Sequence, residues 1–184
     1  MEELKELRER LEGQRPAGWD SLPDLSLYMD QLIGYMPRQL IEYGEEDRLT
    51  SAMVNNYIKD GLLPRAEGKR YSRTHLAYLT AICVLKRVMS TRDMDLLIRE
   101  ELQGRRSVEA GYAAFCASLD KALTLTAQEM EERGEQEDLA DAAIHFALIS
   151  YAAGAASSRY VSLLRARQEP EGTSKKIKKE KERD

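Results

Sequence analysis

The sequence predicts an all-α protein interrupted by one small cationic hairpin, and three observations carry that expectation. Charged residues make up 33% of the 184 residues, and Glu, Lys, Arg, Leu and Ala are abundant, a composition that favours helices. Only 11 Gly and 5 Pro punctuate the chain. Outside residues 64–72 no stretch alternates apolar and polar residues with the two-residue period of a half-buried strand. A chain of this length forms one domain with an appendage and buries a real core.

Taken in order, Met1, Leu4, Leu7 and Leu11 recur at helical spacing with charges between them, the pattern of an amphipathic helix that is mobile unless its leucines dock. Pro16 and Gly18 then mark a linker, so residues 1–18 are read as an N-terminal helix and tether. Trp19 and Leu22 lead to a helix start at Pro23-Asp24, where Leu25, Met29, Leu32, Ile33 and Met36 keep helical spacing. Pro37 begins a further turn through Tyr43, and Gly44 ends it.

The segment Leu49–Leu76 has the most specific pattern. Thr50 or Ser51 suits a helix N-cap, residues 52–59 contain no breaker, and Gly61 and Pro64 stop the helix. Arg65, Gly68, Lys69 and Arg70 follow, as in a hairpin tip, and Ser72 caps the next helix. From Arg48 to His75 six basic residues face two acidic ones, a local excess of four positive charges on a chain whose net charge is −4. Total charge argues against a protein that coats nucleic acid non-specifically, but a local basic patch is what binding follows. A short helix followed by a cationic hairpin is the layout of a winged helix-turn-helix, in which the helix enters a DNA groove and the wing meets phosphates. One of the two preceding helical segments is its supporting helix.

The run Asn56-Tyr57-Ile58-Lys59-Asp60-Gly61-Leu62-Leu63-Pro64, followed by Gly68-Lys69-Arg70-Tyr71-Ser72, resembles the MerR-type winged-helix core. More closely, residues from Leu22-Pro23-Asp24-Leu25-Ser26-Leu27-Tyr28-Met29-Asp30-Gln31 to about Leu102 resemble an uncharacterised bacterial domain family with a MerR-like core. The chain departs from the MerR pattern at Asn55, where those proteins usually carry Arg, and its wing is about one residue short. The resemblance implies binding of double-stranded DNA. Ser51, Asn55 and Asn56 are the candidate base-reading residues, because Asn suits adenine edges. Lys59, Arg65, Lys69, Arg70 and Arg73 are candidate phosphate contacts. Tyr57 and Tyr71 belong to the same site, with rings suited to packing helix and wing onto the core.

Leu76, Leu79, Cys83 and Val84 form one stripe of the following helix, and Tyr78, Ile82, Leu85 and Met89 form another. A helix apolar on two sides is expected at the centre of the fold. Ser90 and Asp93 form a capping pair for a helix lined by Met94, Leu97, Ile98 and Leu102, which Gly104 closes. The winged-helix domain thus spans residues 19–104. Beyond it, Val108, Tyr112, Phe115, Leu119, Ala122 and Thr126 keep one apolar seam. Leu139, Ala142, Phe146, Ile149, Ala153, Ala156, Tyr160 and Leu163 keep a second. Gly134 lies between them, which predicts a long antiparallel helical hairpin over residues 105–168. Its second helix is about 43 Å long at the standard rise. The seam suits either packing on the N-terminal core or homodimerisation, and the MerR resemblance favours the homodimer. Residues 169–184 lack the apolar content to fold and form a charged, disordered tail.

Other chemistry finds little support. There are two histidines and no Gly-rich phosphate loop, CxxC pair or HExxH. His75 and Cys83 are about 12 Å apart along one helix, too far for a dyad. No catalytic residue, metal or cofactor is expected. Cys83 and Cys116 sit in apolar patterns, as reduced core cysteines do. The first residues lack the apolar run of a secretory leader. The most apolar stretch, Leu139–Ser158, contains Asp141 and His145, which are costly in a bilayer. A cytoplasmic DNA-binding transcriptional regulator is the expectation. A non-enzymatic helical interaction or adaptor module on the same scaffold is the alternative.

Overall fold

A computed structural model describes residues 2–41, 48–104, 107–134 and 138–168. The described chain is all-helical, as expected. The seven α-helices are α1 Glu2–Gly13, α2 Met29–Tyr35, α3 Ser51–Lys59, α4 Arg73–Leu85, α5 Thr91–Ile98, α6 Val108–Arg133 and α7 Leu139–Gln168. Short 3₁₀ turns at Trp19–Ser21 and Met36–Gln39, and a π-helical turn at Arg99–Gly104, join some of them. The chain divides into two compact units, one of residues 1–138 and one starting at Leu139. The expected stop at Gly44 and the charged tail from Glu169 lie outside the described residues.

In the first unit α4 is the central strut. Every residue from His75 to Cys83 is buried, so the two apolar stripes are covered from both sides, by α5, α6 and the 3₁₀ turn at Met36–Gln39. Ser90 accepts a hydrogen bond from the Asp93 amide at 3.2 Å and donates to its carboxylate at 2.8 Å, forming the capping pair that starts α5. Met94, Ile98 and Leu102 are buried. Helix α1 docks on α6. Leu11 is buried, Arg8 pairs with Glu131 at 3.4 Å, and Arg15 pairs with Asp120 and donates to Thr124 at 3.0 Å.

A buried polar hub ties four segments together. The Gln39 side chain accepts from the Ala17 amide at 2.9 Å and donates to Thr80 Oγ1 at 3.3 Å and Tyr112 Oη at 3.2 Å. Tyr112 in turn donates to the Ala17 carbonyl at 2.9 Å, and Thr80 to the Leu76 carbonyl at 2.9 Å. Gln39, Thr80 and Tyr112 are all buried, and buried polar groups persist only when satisfied in this way.

Three expectations need correction. The turn from Pro37, expected to run through Tyr43, ends at Gln39, because Leu40 is extended at φ −133° and ψ 148°. The helix expected from Pro23-Asp24 begins only at Met29. Leu27 exchanges both backbone hydrogen bonds with Tyr71, each 2.8 Å, which holds residue 27 extended. The Gln31 side chain then accepts from the Tyr28 amide at 2.9 Å, where the helix starts. Leu25, assigned to the core stripe by its spacing, is 77% exposed. The β-hairpin wing likewise forms no strand among the described residues. Only isolated bridges, Leu27 with Tyr71 and Glu67 with Arg70, stand in its place. The reason is length: with Glu67 and Arg70 already paired across the tip, too few residues remain between Pro64 and Ser72 for a ladder.

In the second unit α7 forms over 30 residues. No Asp, Glu, Lys or Arg occurs from Ala142 to Ser158. By length and composition it is the one described helix apolar enough to cross a membrane, with a mean hydropathy of 1.4 over its best window.

Candidate nucleic-acid interface

Helix α3 presents the candidate base-reading residues to solvent. Thr50 Oγ1 accepts from the Met53 amide and starts the helix. Ser51, Asn55 and Lys59 repeat every four residues and are exposed, with Asn56 beside them. The opposite face is apolar: Val54 is buried, and Met53, Tyr57 and Ile58 pack on the core. Burial raises the Tyr57 hydroxyl pKa, with a smaller contribution from Cys83. Tyr57 is thus a packing residue that also fixes the orientation of α3.

The stop of α3 is a Schellman cap. Gly61, at φ +78°, donates to the Ile58 carbonyl at 3.2 Å, and the Leu62 amide donates to the Tyr57 carbonyl at 2.9 Å. Leu62 and Leu63 are buried directly afterwards, which anchors the start of the cationic loop. The loop tip is a two-residue turn closed by the Arg70 amide donating to the Glu67 carbonyl at 3.0 Å. Gly68 and Lys69 both have positive φ, +56° and +63°, as a type I′ turn requires. For Lys69 this costs about 1 kcal/mol, and it is the only non-glycine residue so placed among those described.

The return of the loop is fixed at Tyr71, Ser72 and His75. Tyr71 is 5% exposed, and its ring meets His75 edge-on at 5.4 Å. The Ser72 amide donates to His75 Nδ1 at 3.0 Å, and Nε2 lies 3.4 Å from the Arg65 carbonyl. An acceptor at Nδ1 and a proton on Nε2 define a neutral imidazole. Desolvation lowers the His75 pKa, against weaker upward pulls from the Arg65 and Pro64 backbones and from Glu67. A histidine whose folded pKa is depressed contributes stability above its ordinary value of about 6.5 and loses it as pH falls below that. The Tm advantage of the wild type over His75→Gln is therefore expected to shrink between pH 7.5 and 5.5. An advantage that stays constant with pH would rule out this locking role.

The electrostatic character of the surface is distinctive. Elsewhere in the first unit several arginines are paired with carboxylates: Arg8 with Glu131, Arg15 with Asp120, Arg99 with Asp95. Among the described residues Lys59, Arg65, Lys69, Arg70 and Arg73 form no ion pair, and all but Arg73 are exposed. Arg70 donates to Tyr28 Oη at 3.0 Å, its guanidinium carbon 5.0 Å from the ring centre. Arg73 lies over Trp19 at 5.7 Å. The structure therefore brings the polar face of α3 and the cationic turn together on either side of one capped loop. It keeps Tyr57 and Tyr71 in the packing beneath.

Tyr28, Trp19 and His75 were absent from the predicted contact set. Their partners lie 42, 54 and up to 10 residues away, and no local periodicity signals such pairs.

Helix α2 packs beside α3 and is its supporting neighbour. Residues 36–50 separate the two, more than the tight turn of a compact helix-turn-helix. A cleft of about 200 Å³ lined by Leu40, Ile41, Cys83, Val84, Arg87 and Leu123 contains none of the predicted contact residues. Burial pushes the Cys116 thiol pKa up, away from thiolate chemistry.

Fold and surface together define an all-helical domain carrying one cationic turn beside a polar helix face. The chain belongs to the family described as domain of unknown function (DUF1836), whose model matches residues 17–115. Membership in an uncharacterised domain family is as expected, over a somewhat wider span than the resemblance covered. All four members of the buried hub, Ala17, Gln39, Thr80 and Tyr112, lie inside it. No curated protein and no solved structure matches the chain.

Proposed function

We propose that this protein is a MerR-like transcriptional regulator that binds double-stranded DNA, with α3 in a groove and residues 64–73 as a compact wing. One observation carries the reading: on a chain whose net charge is −4, the cations of this loop form no ion pair among the described residues and stand beside an exposed Asn-Asn face. Phosphates are the ligand that such charges suit, and Asn55 and Asn56 suit adenine edges. Acting on a bacterial chromosome, the protein works in the cytoplasm, and the reading requires no cofactor and no catalytic residue. A homodimer through the C-terminal helices would present two such surfaces to two half-sites.

The test is capture of sheared genomic DNA from the host at about physiological salt, followed by sequencing. Enrichment of fragments sharing two half-sites is the expected result. Uniform retention that vanishes with salt would refute the regulator reading. Arg70→Ala is expected to weaken binding to all sequences and to reduce the logarithmic salt slope by about one.

The second reading is a helical interaction module, and α7 favours it. Leu139, Ile144, Leu148, Ile149, Tyr151, Tyr160 and Leu163 are all exposed on that helix, and apolar surface of this extent usually has a partner. A monomer indifferent to DNA that captures a specific protein through α7 would favour that module.

A further inference from the structure

We infer that Tyr28 is a positioning residue of the DNA-contact surface, holding the Arg70 guanidinium in place without neutralising it. The inference rests on the DNA-binding reading and extends its surface to the segment before α2, which the sequence pattern assigned to a core helix.

The placement is built into the backbone. Leu27 and Tyr71 exchange two hydrogen bonds as an antiparallel bridge. Residue 28 leaves that bridge as residue 70 enters it, so the two form the next cross-strand pair, and such pairs are direct side-chain neighbours. Arg70 Nη2 donates to Tyr28 Oη at 3.0 Å while the guanidinium carbon stays 5.0 Å from the ring centre. Tyr28 is 49% exposed and Arg70 is exposed, so both remain reachable by a ligand.

The choice of holder decides what the arginine does next. Arg15 and Arg99 are held by Asp120 and Asp95, and a carboxylate fixes a guanidinium by cancelling its charge. A tyrosine fixes it through ring and hydroxyl and leaves the full positive charge. It also occupies one of the five N–H donors and leaves the rest for a phosphate. A long exposed side chain is normally ordered only on binding, at a cost in affinity. Tyr28 moves that ordering into the free protein. The ligand implied is a backbone phosphate of double-stranded DNA, with no base preference at this contact.

The experiment is a double-mutant cycle on the full-length chain, with sheared genomic double-stranded DNA as probe and Tm as control. Tyr28→Ala is expected to weaken retention by roughly five- to tenfold, the scale of one cation–π contact plus one hydrogen bond. The salt slope should not change, because Arg70 still meets its phosphate. Tyr28→Phe, which keeps the ring, should fall between wild type and Tyr28→Ala. In an Arg70→Ala background, Tyr28→Ala should change nothing further. Full additivity of the two substitutions would overturn the inference, as would a fall in Tm that tracks the loss of affinity. If the wild-type protein retains no DNA, the parent reading fails and this one with it. If it retains DNA but the effects add, only the role of Tyr28 fails.

Discussion

Gly111→Ala is expected to destabilise the first unit by at least about 3 kcal/mol, the upper end for overpacking a closed site. A Cβ at position 111 would stand 2.1 Å from the Glu101 carbonyl oxygen, 3.0 Å from its carbon and 3.1 Å from Leu102 Cδ2. Two of those atoms are backbone, held in the π-helical turn Arg99–Gly104 against which α6 packs, so no rotamer change relieves the clash. On propensity alone the substitution would stabilise α6 by about 1 kcal/mol, and the contact reverses that sign. Thermal unfolding is the measurement, with a fall in Tm of roughly 10 °C expected for a chain of this size. Gly34→Ala is the control: Gly34 is exposed in α2 with nothing within 4 Å of its Cβ position, so it should leave Tm unchanged or raise it. An unchanged Tm for Gly111→Ala would mean that the π-helical turn does not pack as described. The consequence reaches the proposed DNA surface, because α6 also supports α4, whose first turn anchors the cationic loop.

What was legible in the sequence was local. The Ser90–Asp93 pair, the Gly61 stop after α3 and the two apolar stripes of α4 each act over a few residues, and each appears in the structure. Residues 23–28 were misread for the opposite reason. Leu25 and Met29 keep helical spacing, but the pairing of Leu27 with Tyr71, 44 residues on, overrides it. Lys69 at positive φ was equally hidden, since lysine carries no preference for that region. The candidate contact residues on α3 were named because the helix, its Gly61 stop and the cationic turn lie within one short run of sequence, where the MerR resemblance is carried. Tyr28 was missed because its cation–π pair joins distant segments.

Gln39 is another such case, with bonding partners 22, 41 and 73 residues away, and it carries the second large prediction. Gln39→Glu changes almost no volume but replaces the amide donor with a second oxygen. That oxygen would face Thr80 and Tyr112 hydroxyls whose protons are already committed to the Leu76 and Ala17 carbonyls. Acceptors would then oppose one another around a buried carboxylate. Breaking a buried polar contact in this way costs about 3 kcal/mol or more. Burial should raise the folded-state pKa of the new carboxyl above its ordinary value of about 4.3. An acid with a raised folded pKa is penalised as pH rises through and beyond its unfolded value, so the loss should be smallest near pH 4 and grow towards pH 7. Some loss remains even at pH 4, because a neutral carboxyl donates one hydrogen bond where the amide donates two. Denaturant unfolding of wild type and variant at both pH values measures this directly. A deficit that is the same at pH 4 and pH 7 would mean that position 39 is open to water, and that Ala17, Thr80 and Tyr112 are joined by something other than this side chain.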